Sequence, residues 1–216
     1  MLSVIFNTNR DPLKVLCLGA HCDDIEIGCG GTLLRLIAEH HRVEVMWVVF
    51  CSNDIRAAEA RNAAHSFLNG AVKQTVTIKD QRDGFLPYYA VDVKEFFEEL
   101  KNKFSPDLIF THYRDDRHQD HRLISDLTWN TWRDHVILEY EIPKYDGDLG
   151  SPNFFVSLSE SLCSKKAELV FECFPSQKSK HWFQPETFLS LARIRGIESC
   201  APESYAEGFY ARKIVT

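Results

Sequence analysis

The sequence predicts an α/β fold, a Rossmann-like three-layer sandwich built around a mostly parallel sheet. Three observations carry this. Short apolar runs alternate with stretches of helical rhythm. Several of those runs are apolar throughout, as strands covered on both faces must be. The chemistry-bearing polar segments follow directly after the runs, where an open parallel sheet holds its ligand sites.

The run over 15–20 reads as a first strand ending in a polar turn that contains Gly28, Gly30 and Gly31, and 32–37 then takes up a helical rhythm. Residues 43–50, rich in Val, form a second buried strand, and 55–68 has Ala-rich helical spacing that Asn69-Gly70 stops. A strand over 72–78 alternates apolar and polar residues, and 92–104 is an amphipathic helix with Phe96, Phe97 and Leu100 inward. A short buried strand over 107–111 precedes a helix over 118–134, and 136–142 supplies a further strand. Pro143, Gly147, Gly150 and Pro152 then punctuate an irregular loop over 143–152, a lid candidate. Helices are expected over 160–171 and 185–197, and a late strand over 205–214. Without repeat or linker, one domain over 1–216 is the expectation.

The 216 residues suffice for a buried core, and 44% hydrophobic with 26% charged residues excludes both a disordered polymer and a membrane bundle. Twenty-five Lys plus Arg against 31 Asp plus Glu leave a net charge of −6, which gives no general attraction for nucleic acid or anionic lipid. Seven cysteines lack the paired spacing of a structural zinc site and read as reduced cytoplasmic thiols. The apolar stretch over 2–6 is shorter than the roughly 7–15 residues of a signal-peptide core. The longest apolar run, 45–51, is far shorter than the roughly 18 residues of a membrane span, so no anchor is expected. An assembly of identical copies is compatible with all of this.

Two polar segments stand out. Ala20-His21-Cys22-Asp23-Asp24 falls at the end of the first strand, and Arg117-His118-Gln119-Asp120-His121 follows the strand over 107–111, so both should open onto one sheet edge. His118 and His121 are three residues apart and share a helix face. His21 and Asp24 from one strand end, with His121 from another, give two imidazoles and a carboxylate with a fourth position open, a set that suits catalytic zinc. The plainer reading is a solvated turn whose acids cap a helix, beside an exposed polar helix start. A phosphate loop is disfavoured, since Gly28-x-Gly30-Gly31 lacks the G-x-G-x-x-G spacing and the preceding acids would repel a pyrophosphate.

The segment AHCDDIEIGCGGTLLRL resembles the AHPDD-x-E-x-G-x-GG signature of the LmbE/PIG-L family of zinc-dependent N-deacetylases, and HQDH resembles its H-x-x-H element. Arg56-Ala57-Ala58-Glu59-Ala60, Arg82-Asp83-Gly84-Phe85-Leu86, Lys166, Ser176-Gln177, Gly196 and Tyr205-Ala206-Glu207-Gly208-Phe209 extend the likeness over almost the whole chain. The resemblance implies zinc, or another divalent transition metal in its place, held by His21, Asp24 and His121. It also implies Asp23 as general base, His118 at the developing oxyanion or leaving amine, Asp120 orienting an imidazole, and Arg56 and Asp83 near the sugar. A salt bridge or helix cap is the competing reading of those last two.

Two departures from the family pattern are visible. Cys22 stands where the family has Pro, read as a packed spectator with ligation as the alternative, and Asp116 stands where some members have Tyr. Trp129, Trp132, Phe154, Phe155, Trp182 and Phe183 have spacing that suits core better than a sugar platform. His40, His41, His65, His112 and His135 have no partners at ligand spacing and read as structural or solvent-facing.

The leading expectation is therefore a zinc-dependent hydrolase that removes the N-acetyl group from an amino sugar or sugar conjugate, releasing acetate and a free amine. The rivals are a non-hydrolytic nucleotide-sugar-binding protein of Rossmann-like fold, and a metal-dependent hydrolase of another amide or an ester. The aglycone would be read by loops around 146–155, whose sequence names no sugar.

Overall fold

Alternate residues of a strand face opposite sides, and in the first strand both sides are apolar: Val15 and Cys17 join one buried cluster, Leu16 and Leu18 another. Such a strand needs cover on both faces, and the chain supplies it. The computed structural model describes residues 11–40 and 42–214; the 2–6 stretch and His41 lie outside them. In chain order the elements are β1 (Leu13–Gly19), α1 (Asp24–Glu39), β2 (Val43–Cys51), α2 (Asp54–Phe67), β3 (Lys73–Gln81), α3 (Ala90–Lys103), β4 (Leu108–His112) and α4 (Gln119–Thr131). Then come β5 (Val136–Tyr140), β6 (Phe154–Leu158), α5 (Glu160–Cys173), α6 (Pro185–Glu198) and β7 (Tyr205–Ala211), with short 3-10 turns at Leu86–Tyr89 and Pro175–Gln177.

The sheet order is β3-β2-β1-β4-β5-β7-β6. Strands β1 to β5 pair in parallel, and only β7 runs against its neighbours, antiparallel to both β5 and β6. Helices α1, α2 and α5 bring Leu33, Phe67 and Val170 to one face; α3 and α4 bring Phe97, Leu100 and Ile124 to the other. This is the expected three-layer, mostly parallel sandwich. The chain moves outward from β1 through β2 to β3, then returns to β4 on the other side of β1. That reversal leaves a crevice at the C-terminal ends of β1 and β4. Among the described residues no helix is long and apolar enough to cross a membrane.

Some expectations need correcting. The Gly-rich stretch is not a loop: α1 begins at Asp24, and Gly28, Gly30 and Gly31 lie inside it. Helix propensity disfavours them there, but packing requires them. A Cβ on Gly28 would lie 2.1 Å from the Tyr140 ring, and one on Gly31 would lie 2.5 Å from Leu158. The Gly31 amide is also taken, since Glu207 of β7 accepts the N–H groups of Gly31 and Thr32 at 2.9 and 2.6 Å while pairing with buried Lys166 at 2.5 Å. These amides hold the sheet to the helix and leave nothing for a phosphate. Strand β6 is not legible in the sequence, β5 stops at Tyr140, and β7 stops at Ala211 rather than 214. Residues 143–152 form neither helix nor strand, as expected. Of the aromatics, Trp132 and Phe183 are core, and Trp129 donates its Nε1–H to buried Glu139.

Gly28→Ala is expected to destabilise the protein by about 1–3 kcal/mol through overpacking, although alanine favours a helix by up to about 1 kcal/mol over glycine. The ring cannot swing aside cheaply, because the Tyr140 hydroxyl donates to the Leu18 carbonyl at 2.7 Å. Denaturant unfolding measures this, and an unchanged or raised midpoint would contradict the packing argument.

Candidate active site

The turn after β1 puts His21 at the crevice and starts α1 at Asp24, whose Oδ2 accepts the His21 backbone N–H at 2.6 Å. Across the crevice, the segment after β4 runs into α4, where His118 is the N-cap and its ring accepts the Asp120 N–H at 3.3 Å. Asp120 and His121 therefore fall on the first turn, pointing back at β1. His21 Nδ1 lies 3.1 Å from His121 Nε2 and 3.4 Å from Asp24 Oδ2, and His121 Nε2 lies 3.6 Å from Asp24 Oδ1. Ligands about 2.0–2.1 Å from a tetrahedral zinc are spaced by about 3.3 Å; the two imidazole nitrogens stand close to that separation, and Asp24 meets them through different oxygens, so one of these oxygens has to face both rings for the three residues to share one ion.

The outward nitrogens of both imidazoles are held by carboxylates. His21 Nε2 is 3.2 Å from Asp120 Oδ2 and 3.0 Å from Asp83 Oδ1; His121 Nδ1 is 2.9 Å from Asp116 Oδ2. Such support fixes the tautomer that leaves the inner nitrogen free to ligate. Asp120 is itself fixed, accepting the N–H groups of Gly84 at 2.7 Å and Leu86 at 3.1 Å, while Gln119 donates to the Gly84 carbonyl. These bonds draw the 82–86 loop, with Asp83, to the site.

Charge follows from the same geometry. Burial opposes a charge on His21, yet Asp24, Asp120 and Asp83 outweigh it and hold its pKa well above the ordinary histidine value. Burial and then neighbouring His112 push His121 down to about 3, so its ring is neutral. Burial also opposes the Asp24 carboxylate, but His121, His112 and His21 keep its pKa well below the usual range. His118 is lowered by burial and by the charge on His21. Its ring centroid lies 4.7 Å from those of both His21 and His121.

Each of the sequence-derived candidates, His21, Asp23, Asp24, Arg56, Asp83, His118, Asp120 and His121, is at this crevice. Buried Asp23 takes an Arg56 guanidinium hydrogen bond on Oδ1 at 2.6 Å, and its Oδ2 has no protein partner among the described residues. The salt-bridge reading of Arg56 therefore applies, with Asp23 as the partner; the cap of α2 is Asn53. Asp83 is 63% exposed at its side chain and reaches the site from the rim. The Cys22 thiol donates to the Cys51 carbonyl at 3.3 Å, lies within the apolar core and is in none of the donor clusters among the described residues, a packed thiol whose pKa burial pushes up to about 12.

Sequence reasoning missed three groups. His112 ends β4 fully buried, stacked on His121 at 3.9 Å and 3.2 Å from Asp24 Oδ2. Its position at a buried strand end was the available signal. Asp116 stood out only as a departure from the family pattern, and Lys144 lies in a segment that reads as a loop. Overlapping donor clusters also exist: His21, His118 and His121; His21, Asp83, His118 and Asp120; and Asp24, His112 and His121. In the last, the His112 Nε2 lone pair already accepts the Ala20 N–H at 2.9 Å, so this nitrogen is a poor ligand.

The family model described as PIG-L, GlcNAc-PI de-N-acetylase, matches residues 16–132, which contain every group of this crevice except Lys144. The chain belongs to the PIG-L family. Among solved structures, the N,N'-diacetylchitobiose deacetylase of Pyrococcus horikoshii is 22% identical, with a TM-score of 0.69 over 94% of this chain and 84% of that one. The conserved protein TT1542 of Thermus thermophilus is 21% identical, with a TM-score of 0.72 over 94% and 96%. The 4-carboxy-2-hydroxymuconate hydratase GalB of Pseudomonas putida is 17% identical, with a TM-score of 0.70 over 94% and 98%. One fold thus carries a deacetylase and a hydratase, and the reaction has to be argued from the site.

Proposed function

We propose that this PIG-L family member is a zinc-dependent N-deacetylase of an amino-sugar conjugate of the N-acetylglucosamine type, its zinc held by His21, Asp24 and His121. The observation that carries the reading is the 3.1 Å approach of His21 Nδ1 and His121 Nε2, which lie 3.4 Å from Oδ2 and 3.6 Å from Oδ1 of Asp24, with a carboxylate behind each imidazole. Zinc held by such a set supplies Lewis acidity for amide hydrolysis.

Asp23 accepts a proton from the attacking water on Oδ2, while Arg56 holds Oδ1 and fixes the direction of attack. The water oxygen bonds to the acetyl carbon while His118 faces the developing negative oxygen, and as the C–N bond breaks the proton taken up by Asp23 passes to the departing amine, directly or by relay through His118, which returns Asp23 to its carboxylate. Acetate and the free amino sugar are the products, so atoms and protons balance. In this reading Asp83, exposed at the rim beside His21, meets the sugar hydroxyls, while Arg56, 3.9 Å from it, remains the partner of Asp23. The acidic net charge and the unpaired cysteines fit cytoplasmic action on a small-molecule conjugate, which completes the reading.

The similarity to a hydratase gives a second reading, in which the same metal set serves another substrate, including another amide or an ester. Zinc-loaded protein incubated with N-acetylhexosamine conjugates, with matched esters alongside, separates the two. Equimolar release of acetate and primary amine from at least one conjugate is expected. Ester cleavage or hydration with every acetamide untouched would overturn the proposal.

A further inference from the structure

The irregular segment after β5 sends one side chain toward the candidate metal centre. Lys144 Nζ lies 2.9 Å from Asp116 Oδ2, the same oxygen that meets His121 Nδ1 at 2.9 Å. Its other contact is Asp148 Oδ2 at 2.6 Å, and that oxygen accepts the Arg117 backbone N–H at 2.7 Å. Asp116 Oδ1 accepts the His118 N–H at 2.7 Å. The side chains of Lys144, Asp116 and Asp148 are 9%, 3% and 7% exposed, so these charges interact with little screening by water.

We propose that Lys144 is a positioning residue for the metal centre, its ammonium fixing Asp116 Oδ2 in the place where it accepts from His121 Nδ1 and so leaves Nε2 free beside His21 and Asp24. The inference rests on the metal reading given above and adds to it a part supplied from outside the matched motifs.

Without the Lys144 ammonium, Asp116 keeps the His118 N–H on Oδ1, but its Oδ2 is free to turn away from His121 Nδ1. That would favour the tautomer with its proton on Nε2, which cannot ligate. The lysine prevents this by holding Oδ2 at 2.9 Å, where it also meets His121. Asp116 thus takes a structural part where some family members carry a tyrosine: it serves the ligand His121 and also fixes the backbone at His118.

The plainer alternative is that Lys144 only pins its own loop. The loop has other anchors, since Arg195 donates to the Gly150 carbonyl at 3.0 Å and pairs with Glu141 at 2.7 Å, and Tyr210 donates to Glu141 at 3.2 Å. Removing the ammonium while keeping the aliphatic stem therefore separates charge from anchoring. Losing an outer partner of a metal-ligating histidine typically weakens metal binding by about 10–100-fold.

The test measures zinc affinity by chelator competition in wild type, Lys144→Met and Lys144→Arg, and repeats the methionine change in an Asp116→Asn background. Nitrogen NMR of the histidine side chains in metal-free protein reports the His121 tautomer. We expect Lys144→Met to weaken zinc binding about tenfold and reduce the Nδ1–H population of His121. Lys144→Arg should stay within about threefold of wild type, and Lys144→Met in the Asp116→Asn background should cost less than about twofold, because without the carboxylate the ammonium has lost the group through which it acts on His121. Folded Lys144→Met with wild-type zinc affinity and an unchanged tautomer would overturn the proposal. Equal losses with and without Asp116 would do the same, because they would assign Lys144 to loop anchoring alone. Should Lys144→Met fail to fold, the arginine variant decides: a tenfold loss despite retained charge overturns the proposal, and near wild-type affinity supports it. Absence of zinc binding in wild type would count against the functional reading, whereas the tautomer comparison still tests the lysine.

Discussion

His21→Ala, Asp24→Asn and His121→Ala are each expected to lower bound zinc from about one ion per chain to near zero and to abolish acetate release, because each leaves two of the three protein donors. The carboxamide is chosen for Asp24 because its carboxylate also accepts the His21 backbone N–H, and alanine would disturb the turn as well as the ion. Elemental analysis after dialysis measures occupancy, and circular dichroism checks the fold. His112 supplies the control. It lies close to Asp24 and stacks on His121, yet its Nε2 is already engaged by the Ala20 amide, so a folded His112→Gln should retain most of its zinc. Loss of zinc from the His112 variant together with full occupancy in His21→Ala would move the ion to the deeper cluster of Asp24, His112 and His121 and refute the proposed donor set.

What the sequence made legible divides along physical lines. Buried parallel strands announce themselves, because Val15 to Leu18 and Val45 to Phe50 are apolar on both faces, whereas the strand order comes from the fold. The convergence of His21, Asp24 and His121 could be anticipated for the same reason: two polar segments following two buried strands have one edge on which to meet. Composition could not locate β6. Its Phe154 to Ser157 are only partly buried at the sheet edge, so neither full apolarity nor clean alternation marks it.

The glycines of α1 misled for a different cause. A glycine admits a turn and equally admits close packing, and only the Tyr140 and Leu158 contacts, made by residues more than a hundred positions away, decide between them. Distance along the chain also concealed the support of the site. Asp116 and Lys144 are 28 residues apart, and no local pattern says that an ammonium from one loop meets a carboxylate from another. Local rules place the atoms that bear the chemistry, and tertiary packing determines which groups hold them in their productive state.

The second large effect separates proton transfer from metal binding. Asp23→Asn preserves side-chain volume, keeps a carbonyl oxygen to accept from Arg56, and leaves His21, Asp24 and His121 untouched, so zinc occupancy and fold should be those of wild type. The amide, however, cannot take the proton of the attacking water, and loss of a general base costs about 10²–10⁴-fold in turnover. A fall of at least about a hundredfold in kcat at neutral pH is therefore expected, with KM changing much less because the proton moves only in the transition state. The same change leaves Arg56 with a neutral partner, and its guanidinium can then turn toward Asp83, 3.9 Å away. An Arg56→Lys variant measured in parallel shows how much of the effect belongs to that ion pair: it should lose far less rate than Asp23→Asn if the carboxylate is the base. Near wild-type turnover in Asp23→Asn, with one zinc per chain verified, would remove Asp23 from the reaction and require another base at the crevice.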